Sequence, residues 1–459
     1  MAANIVANAA LPSNFQASWF SKDVSGARGL FVDDNNGNIL AIARDASPRA
    51  VVALKDTNYD GMAYSVTVIA EEDSLTHGLA VFGEYLYASS DTTVFRWPYN
   101  NSTNSLISDT LKEVVVQNIN ADGNGGAPMG HKTRTLVFDS PGRLYVSVGS
   151  VGNVDADSIR SRIKRFDLNA GIPSGGFDFK LEGDLFADGL RNEVGLAFDS
   201  LGVLWGVENG ADNLRRSDLG GDIHNDNPAE ELNRFSEEGL HYGYPYCFTE
   251  YLLDEEVSPT GRGTVWAWPS FMNDGVHDDN WCRENTEPPR LAMQAHSAPL
   301  GITFYDANKV LDPLCVNNDI QPFPVSMDGD AFIAFHGSWN RDVPTGYKIV
   351  RVPMNSNGLP SLDEPLDFFC HAGFSAKWPS GIRPVDLRFD KCNRLLITSD
   401  GTSGTGGDGL IIISYNGTGN STSTEIASAC GNDAGQIEVL WNQVFSFAAC
   451  IYALFCNLF

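Results

Sequence analysis

RTLVFDSPGRLYVSVGS, residues 134–150, is the stretch on which the fold turns. A short β-rich run meets Asp-Ser-Pro-Gly and passes into a second β-rich run, which is how a hairpin is written in sequence. Within the second run Leu144, Val146 and Val148 stand against Tyr145, Ser147 and Gly149. That alternation has the period of a strand with one buried face. Long amphipathic helical periodicity is absent from the chain.

Working outward, the same unit recurs five more times: RGLFVDDNNGNILAIAR from Arg28, HGLAVFGEYLYASS from His77, VGLAFDSLGVLWGVENG from Val194, LGITFYDANKV from Leu300 with a delayed partner DAFIAFHGSW, and VDLRFDKCNRLLITSDG from Val385. The first four copies follow one another at about the length of a propeller blade, and the last two are spread by insertions that belong in surface loops. Six hairpins predict an all-β, six-bladed β-propeller. A β-sandwich is the competing architecture, but it has no need of self-similar hairpins. The propeller is read as one domain over residues 1–430, followed by a tail, 431–459, whose role stays open.

At 459 residues, with Gly 45 and Pro 22 spread evenly and 42% apolar side chains, the chain has the composition of a globular protein with a large core. Fifty-eight acidic against 31 basic residues give a net charge of -27. Such a surface repels phosphate backbones and anionic headgroups, so neither nucleic acid nor a membrane surface is an expected partner. Cys247, Cys282, Cys315, Cys370, Cys392, Cys430, Cys450 and Cys456 contain no CxxC pair, which argues for disulfides over a zinc cluster. Glycosylation acceptors at Asn100 or Asn101, Asn416 and Asn420 agree with an oxidising, secretory route. The start, MAANIVANAALPSNF, does not read as a signal peptide, so secretion is inferred indirectly. The apolar stretch Val444 to Phe459 is short for a membrane span and reads equally as a lipid-anchor signal, a packed strand or a gene-end error.

A propeller also directs the search for a site. Inner strands line the channel, so residues just before them meet at one mouth. Read in that way, the chain offers His77, His131, Arg191 with Asn192, the turn from Glu208 to Asp212, the stretch from His336 to Arg341, and Arg383. Absence of GxGxxG between a strand and a helix speaks against a nicotinamide or flavin fold.

Four of these segments, GHKTRTLVFDSPGRLYVSVGS, GLRNEVGLAFDSLGVLWGVENGAD, AFIAFHGSWNRDVPTGYKIVRV and IRPVDLRFDKCNRLLITSDG, together resemble the soluble glucose and sorbosone dehydrogenase family, and within it the fungal pyranose dehydrogenases that use pyrroloquinoline quinone (PQQ). The resemblance covers about residues 20–420. It implies a sugar substrate, PQQ and Ca2+ as cofactors, and an external electron acceptor such as a cytochrome or a copper oxygenase. By the same resemblance His131 is the general base and Arg191 a catalytic residue beside the quinone. Arg191, Asn192, Arg341, Arg383, His77, His336 and Trp339 then bind the cofactor, and the carbonyls of Gly210 and Ala211 hold calcium. An imidazole with an ordinary pKa near 6.5 suits proton abstraction near neutrality, guanidinium groups suit the carboxylates of PQQ, and a hard cation prefers oxygen donors.

The sequence departs from the family pattern in three places. Gly-Ala replaces Gly-Pro in the calcium turn, no lysine stands near Asn340 and Arg341, and Val385 replaces a second arginine. The segment HYGYPYCF reads as a structural corner centred on Tyr242 to Pro245, and the stretch from Trp266 to Trp281, without a hairpin pattern, as a loop over the substrate mouth. Two other functional classes remain in view: a calcium-dependent propeller lactonase, whose metal sits directly on side chains, and a non-catalytic glycan-binding propeller.

Overall fold

The computed structural model describes residues 5–417, apart from 34–35, 109–110, 121–129, 157–158 and 374. Asn420, Cys430, Cys450, Cys456 and the tail 431–459 lie outside the described residues. Six sheets, antiparallel but for short parallel pairings at the edges of the second and third, follow one another along the chain. Their inner strands are Ala27–Val32, Leu75–Phe82, Leu136–Phe138, Glu193–Phe198, Pro299–Phe304 and Pro384–Phe389. Each pairs with the second strand of the hairpin read from sequence, including the delayed one, where Pro299–Phe304 meets Ala331–Phe335. The six-bladed propeller is therefore formed as expected. Its sixth blade closes the ring by pairing Asp408–Tyr415 with the N-terminal strand Phe15–Ser21, so both ends of the propeller sequence share one sheet.

One reading needs correction. The strand Arg143–Val148 is buried on both faces, with Tyr145 and Ser147 as hidden as Leu144 and Val146. Blades pack face to face around the ring, so the second strand of each touches both neighbours. Tyr145 accordingly meets Phe198 of the following blade at a ring-centroid distance of 5.6 Å, while Leu144 and Val146 cluster with Ala80 and Tyr87 of the preceding one. Period-two alternation survives in chemistry but not in exposure.

The insertion before the fifth blade also differs from expectation. Val265–Ala267 pairs with Cys247–Thr249, a helix follows over Asp279–Asn285, and Cys247 is bonded to Cys282. This small unit does not line the central cavity. It packs Phe248 and Trp268 against Ala211, Leu214 and Leu219, bracing from outside the loop that reaches the cavity. A second disulfide, Cys315–Cys392, ties the next insertion to the sixth blade, and Cys370 is disulfide-bonded as well. Among the described residues no helix is long and apolar enough to cross a membrane.

Candidate active site

All six inner strands run in one sense along the axis, so their first residues share one mouth. There a cavity of about 490 Å³ is walled by His131, Asn153, Arg191, Asn192, Asn209, Gly210, Asp212, Glu230, His296, His336, Trp339 and Arg383, with others. That volume lies within the usual range for small-molecule sites. A larger hollow, about 900 Å³, sits on the insertion around Arg262, Trp266 and Arg283. It contains no histidine, and Arg283 lies over the Trp266 ring at 4.6 Å.

His131 enters from the segment before the third inner strand. Its backbone N–H donates to the Ser150 carbonyl at 3.1 Å, and its Nδ1 lies 3.1 Å from that same oxygen and 3.2 Å from Ser150 Oγ. A carbonyl only accepts, so Nδ1 carries the proton and Nε2 is left as the basic nitrogen. Burial, with the Arg191 guanidinium second, pushes the imidazole down to about 3. Gly149 leaves room for this placement: a Cβ there would stand 2.5 Å from Asn192 Oδ1 and 2.7 Å from His131 Cβ.

Arg191 precedes the fourth inner strand. Its backbone N–H donates to Glu208 at 2.5 Å. The guanidinium donates to the Gly210 carbonyl at 2.6 Å, to Asn153 Oδ1 at 3.0 Å and to Asp212 at 2.8 Å. Asp212 is locked to Asn153 by two reciprocal 2.7 Å bonds between main chain and side chain. Glu230 accepts the N–H groups of Gly210 and Ala298 at 2.7 and 2.9 Å, and burial lifts its carboxyl to about 7.

Across the cavity His336 donates Nε2–H to Asp400 at 2.8 Å. Asp400 also holds Arg28 at 2.9 Å and Arg44 at 3.1 Å. Burial works against its charge, but His336, Arg28 and Arg44 together keep the carboxyl far below the usual range. Arg383 bonds the His336 and Gly337 carbonyls at 3.3 and 3.2 Å. Trp339 stands 75% exposed at the rim.

The family model described as TrAA12-like matches residues 9–412. The chain belongs to this family. A PQQ-dependent sugar dehydrogenase of Hypocrea jecorina is 32% identical over 405 residues, which cover 82% of this chain and 79% of that protein. A PQQ-dependent pyranose dehydrogenase of Coprinopsis cinerea is 30% identical over 358 residues, 74% of this chain but 44% of the relative, so the chain spans less than half of it. Among solved structures, the calcium structure of the Trichoderma reesei family AA12 enzyme superposes with a TM-score of 0.74 at 28% identity, covering 90% of this chain and 98% of that one. The holo form of the Coprinopsis cinerea pyranose dehydrogenase PQQ domain gives 0.71 at 26% identity, with 89% and 97% covered.

In this TrAA12-like chain the structure gathers seven of the expected residues at one cavity: His131, Arg191, Asn192, Gly210, His336, Trp339 and Arg383. Three stand outside its walls. His77 is 2% exposed, and burial followed by repulsion from Arg28 holds its pKa well below the ordinary value. Ala211 is packed in the apolar cluster with Leu214 and Trp268. Arg341 turns away to Asp226 at 2.8 Å and the Ala295 carbonyl at 3.4 Å. Conversely, Asn153, Glu230, His296 and Asp400 were not singled out from sequence. His296 had a usable signal, since it lies just before the inner strand Pro299–Phe304, where the same search rule applies.

Proposed function

We propose that the protein is a PQQ- and calcium-dependent pyranose dehydrogenase, secreted, that oxidises the C1 hydroxyl of a sugar to the lactone and passes the electrons to an external acceptor such as a cytochrome or a copper oxygenase. The observation that carries the reading is the pairing of His131, oriented by Ser150 with Nε2 left basic, with Arg191 and Arg383 in the same cavity walls. In a protein of net charge -27, cations gathered at one mouth favour an anionic ligand. PQQ, with its three carboxylates, fits guanidinium partners.

When bound, PQQ supplies the hydride acceptor. His131 Nε2 takes the hydroxyl proton as hydride leaves the same carbon, so proton and electron pair depart from substrate together. His131 is neutral at working pH, because burial and Arg191 hold it near 3. A negative charge brought beside Arg191 offsets that repulsion and raises the basicity of the imidazole when it is needed. Arg191 and Arg383 provide fixed positive charge toward the developing anion, Asn192 adds an amide to the same wall, and Trp339 offers an exposed aromatic face to a sugar ring.

Oxygen donors suited to calcium are present in the turn from Asn209 to Asp212. The Gly210 carbonyl among them already accepts from Arg191 at 2.6 Å, so a bound cation would share that acceptor with the guanidinium. Disulfides at Cys247–Cys282 and Cys315–Cys392 support an oxidising compartment.

The lactonase reading needs side chains that grip a metal directly. It leaves Arg191 and Arg383 in the cavity wall without a role. The test is dye-linked oxidation of a panel of pyranoses by protein without cofactor and with PQQ plus calcium. Turnover that requires PQQ and is lost with a calcium chelator is the expected result. Absence of both quinone binding and a gain in turnover sinks the proposal.

A further inference from the structure

The hollow at the end of the channel opposite the His131 cavity, about 580 Å³ in volume, is used by nothing in the reading above. Its wall is divided. Among the described residues the first four blades contribute apolar side chains alone, Phe31, Phe82, Phe138 and Phe198 among them, whereas the fifth and sixth add Thr303, Asp306, Lys309, Arg388, Lys391 and Asn393. Those four rings are half-buried, so they leave aromatic surface open to the hollow. Ring closure of six like blades accounts for an apolar hollow, but not for polar groups gathered on one side of it. In a protein of net charge -27, three cations stand here against the carboxylates of Asp306 and Asp386.

Arg388 is anchored at one nitrogen. Nη1 donates to the Ile302 carbonyl of the fifth blade at 3.2 Å, to the Leu387 carbonyl at 2.7 Å and to Asp386 at 2.8 Å, while Nε and Nη2 have no hydrogen-bond partner among the described residues. A guanidinium fixed in this way keeps donors for a carboxylate. Lys309, which donates to the Phe389 carbonyl at 3.4 Å, and Lys391 add positive charge on the same side. We propose that this hollow binds a flat aromatic carboxylate, its ring body against the phenylalanines of the first four blades and its carboxylate on Arg388. A rigid ring loses less freedom on binding than an alkyl chain, and it meets aromatic walls edge to face or offset. The site stands apart from the His131 cavity and does not depend on the quinone reading.

The test is equilibrium dialysis of the full chain against naphthoate, its neutral counterpart naphthylmethanol and the aliphatic decanoate. Naphthoate should bind saturably at one site, naphthylmethanol about tenfold more weakly, the scale of one hydrogen bond to a charged group, and decanoate more weakly than naphthoate. Arg388→Gln should lower the naphthoate affinity by a similar factor. Val137→Trp, which fills the hollow from its apolar side, should abolish binding with the melting temperature little altered, and it carries the test where Arg388→Gln fails to fold. Arg191→Gln, at the opposite mouth, should leave the affinity within about twofold, as expected of a distant site. No saturable binding, equal affinity for the alcohol, tighter binding of decanoate, wild-type affinity in folded Val137→Trp, or a loss in Arg191→Gln that Arg388→Gln does not share overturns the proposal. None of these outcomes bears on whether PQQ binds beside His131, so the two readings fail separately.

Discussion

The two ends of the central channel are built from the same six strands and differ in kind. At the mouth where the inner strands begin, His131, Arg191, His336 and Arg383 face a polar cavity. At the other end Phe31, Phe82, Phe138, Phe198, Phe304 and Phe389, one from each blade, wall a hollow of about 580 Å³. Phe82 stacks on Phe138 at 4.7 Å, and Phe389 meets Tyr305 and Phe323 at 4.9 and 5.3 Å. The repeat thus divides its labour along each strand: the last residues hold the blades together, which frees the first residues to vary. Buried charge at the first mouth is held by networks such as Arg28–Asp400–His336, whereas at the far end Lys309, Arg388 and Lys391 share the wall with a phenylalanine from every blade.

If that division is real, changes at one end should move activity and changes at the other should move stability. The largest effect is expected from His131→Gln, which should lower kcat by about 10²- to 10⁴-fold with the melting temperature little altered. A variant that keeps turnover removes His131 from the mechanism. Phe389→Ala, at a site 7% exposed, should destabilise by about 3–5 kcal/mol in urea unfolding and leave kcat/KM of the folded fraction unchanged. Lost activity at full stability would show that the two ends are coupled.

A smaller effect links the two properties at one residue. His131 is held near 3 in the folded protein, below its value of about 6.5 in the unfolded chain. Between those values the unfolded chain binds the extra proton, so stability falls as pH drops from about 6.5 toward 3. Denaturant titrations across that window should show a shallower pH dependence in His131→Gln, and identical slopes would contradict the burial of a neutral imidazole. Smallest of all, Trp339→Ala should raise KM for sugar by no more than about tenfold, the scale of one aromatic contact, with stability shifted by about 0.5 kcal/mol or less because the ring is exposed. An unchanged KM would take Trp339 out of the sugar contact.

Much of this was legible in the chain itself. Repetition made the propeller readable, since six hairpins with the same turn chemistry admit few other closures. The rule that residues before inner strands meet at one mouth brought out His131, Arg191, Asn192 and Arg383. It was applied incompletely to the fifth blade, where His336 was read and His296 was passed over. Asp400 follows no such rule. It ends the second strand of the sixth blade, where it finds His336 of the neighbouring blade, 64 residues away, and Arg28 of the first blade, a meeting that exists only once the ring has closed.

What the sequence determined by itself, then, is the repeat, the number of blades and the end of the channel where polar chemistry collects, because hydrophobic period and turn residues act locally. The tertiary structure alone decided which polar groups share a proton or a charge. Arg341, His77 and Ala211 stand at suggestive places in the sequence, yet one is spent on Asp226, one is sealed beneath the cavity and one is packed under the insertion. Pairing energies depend on distance and burial, and both are set between blades by side chains that the chain order keeps far apart.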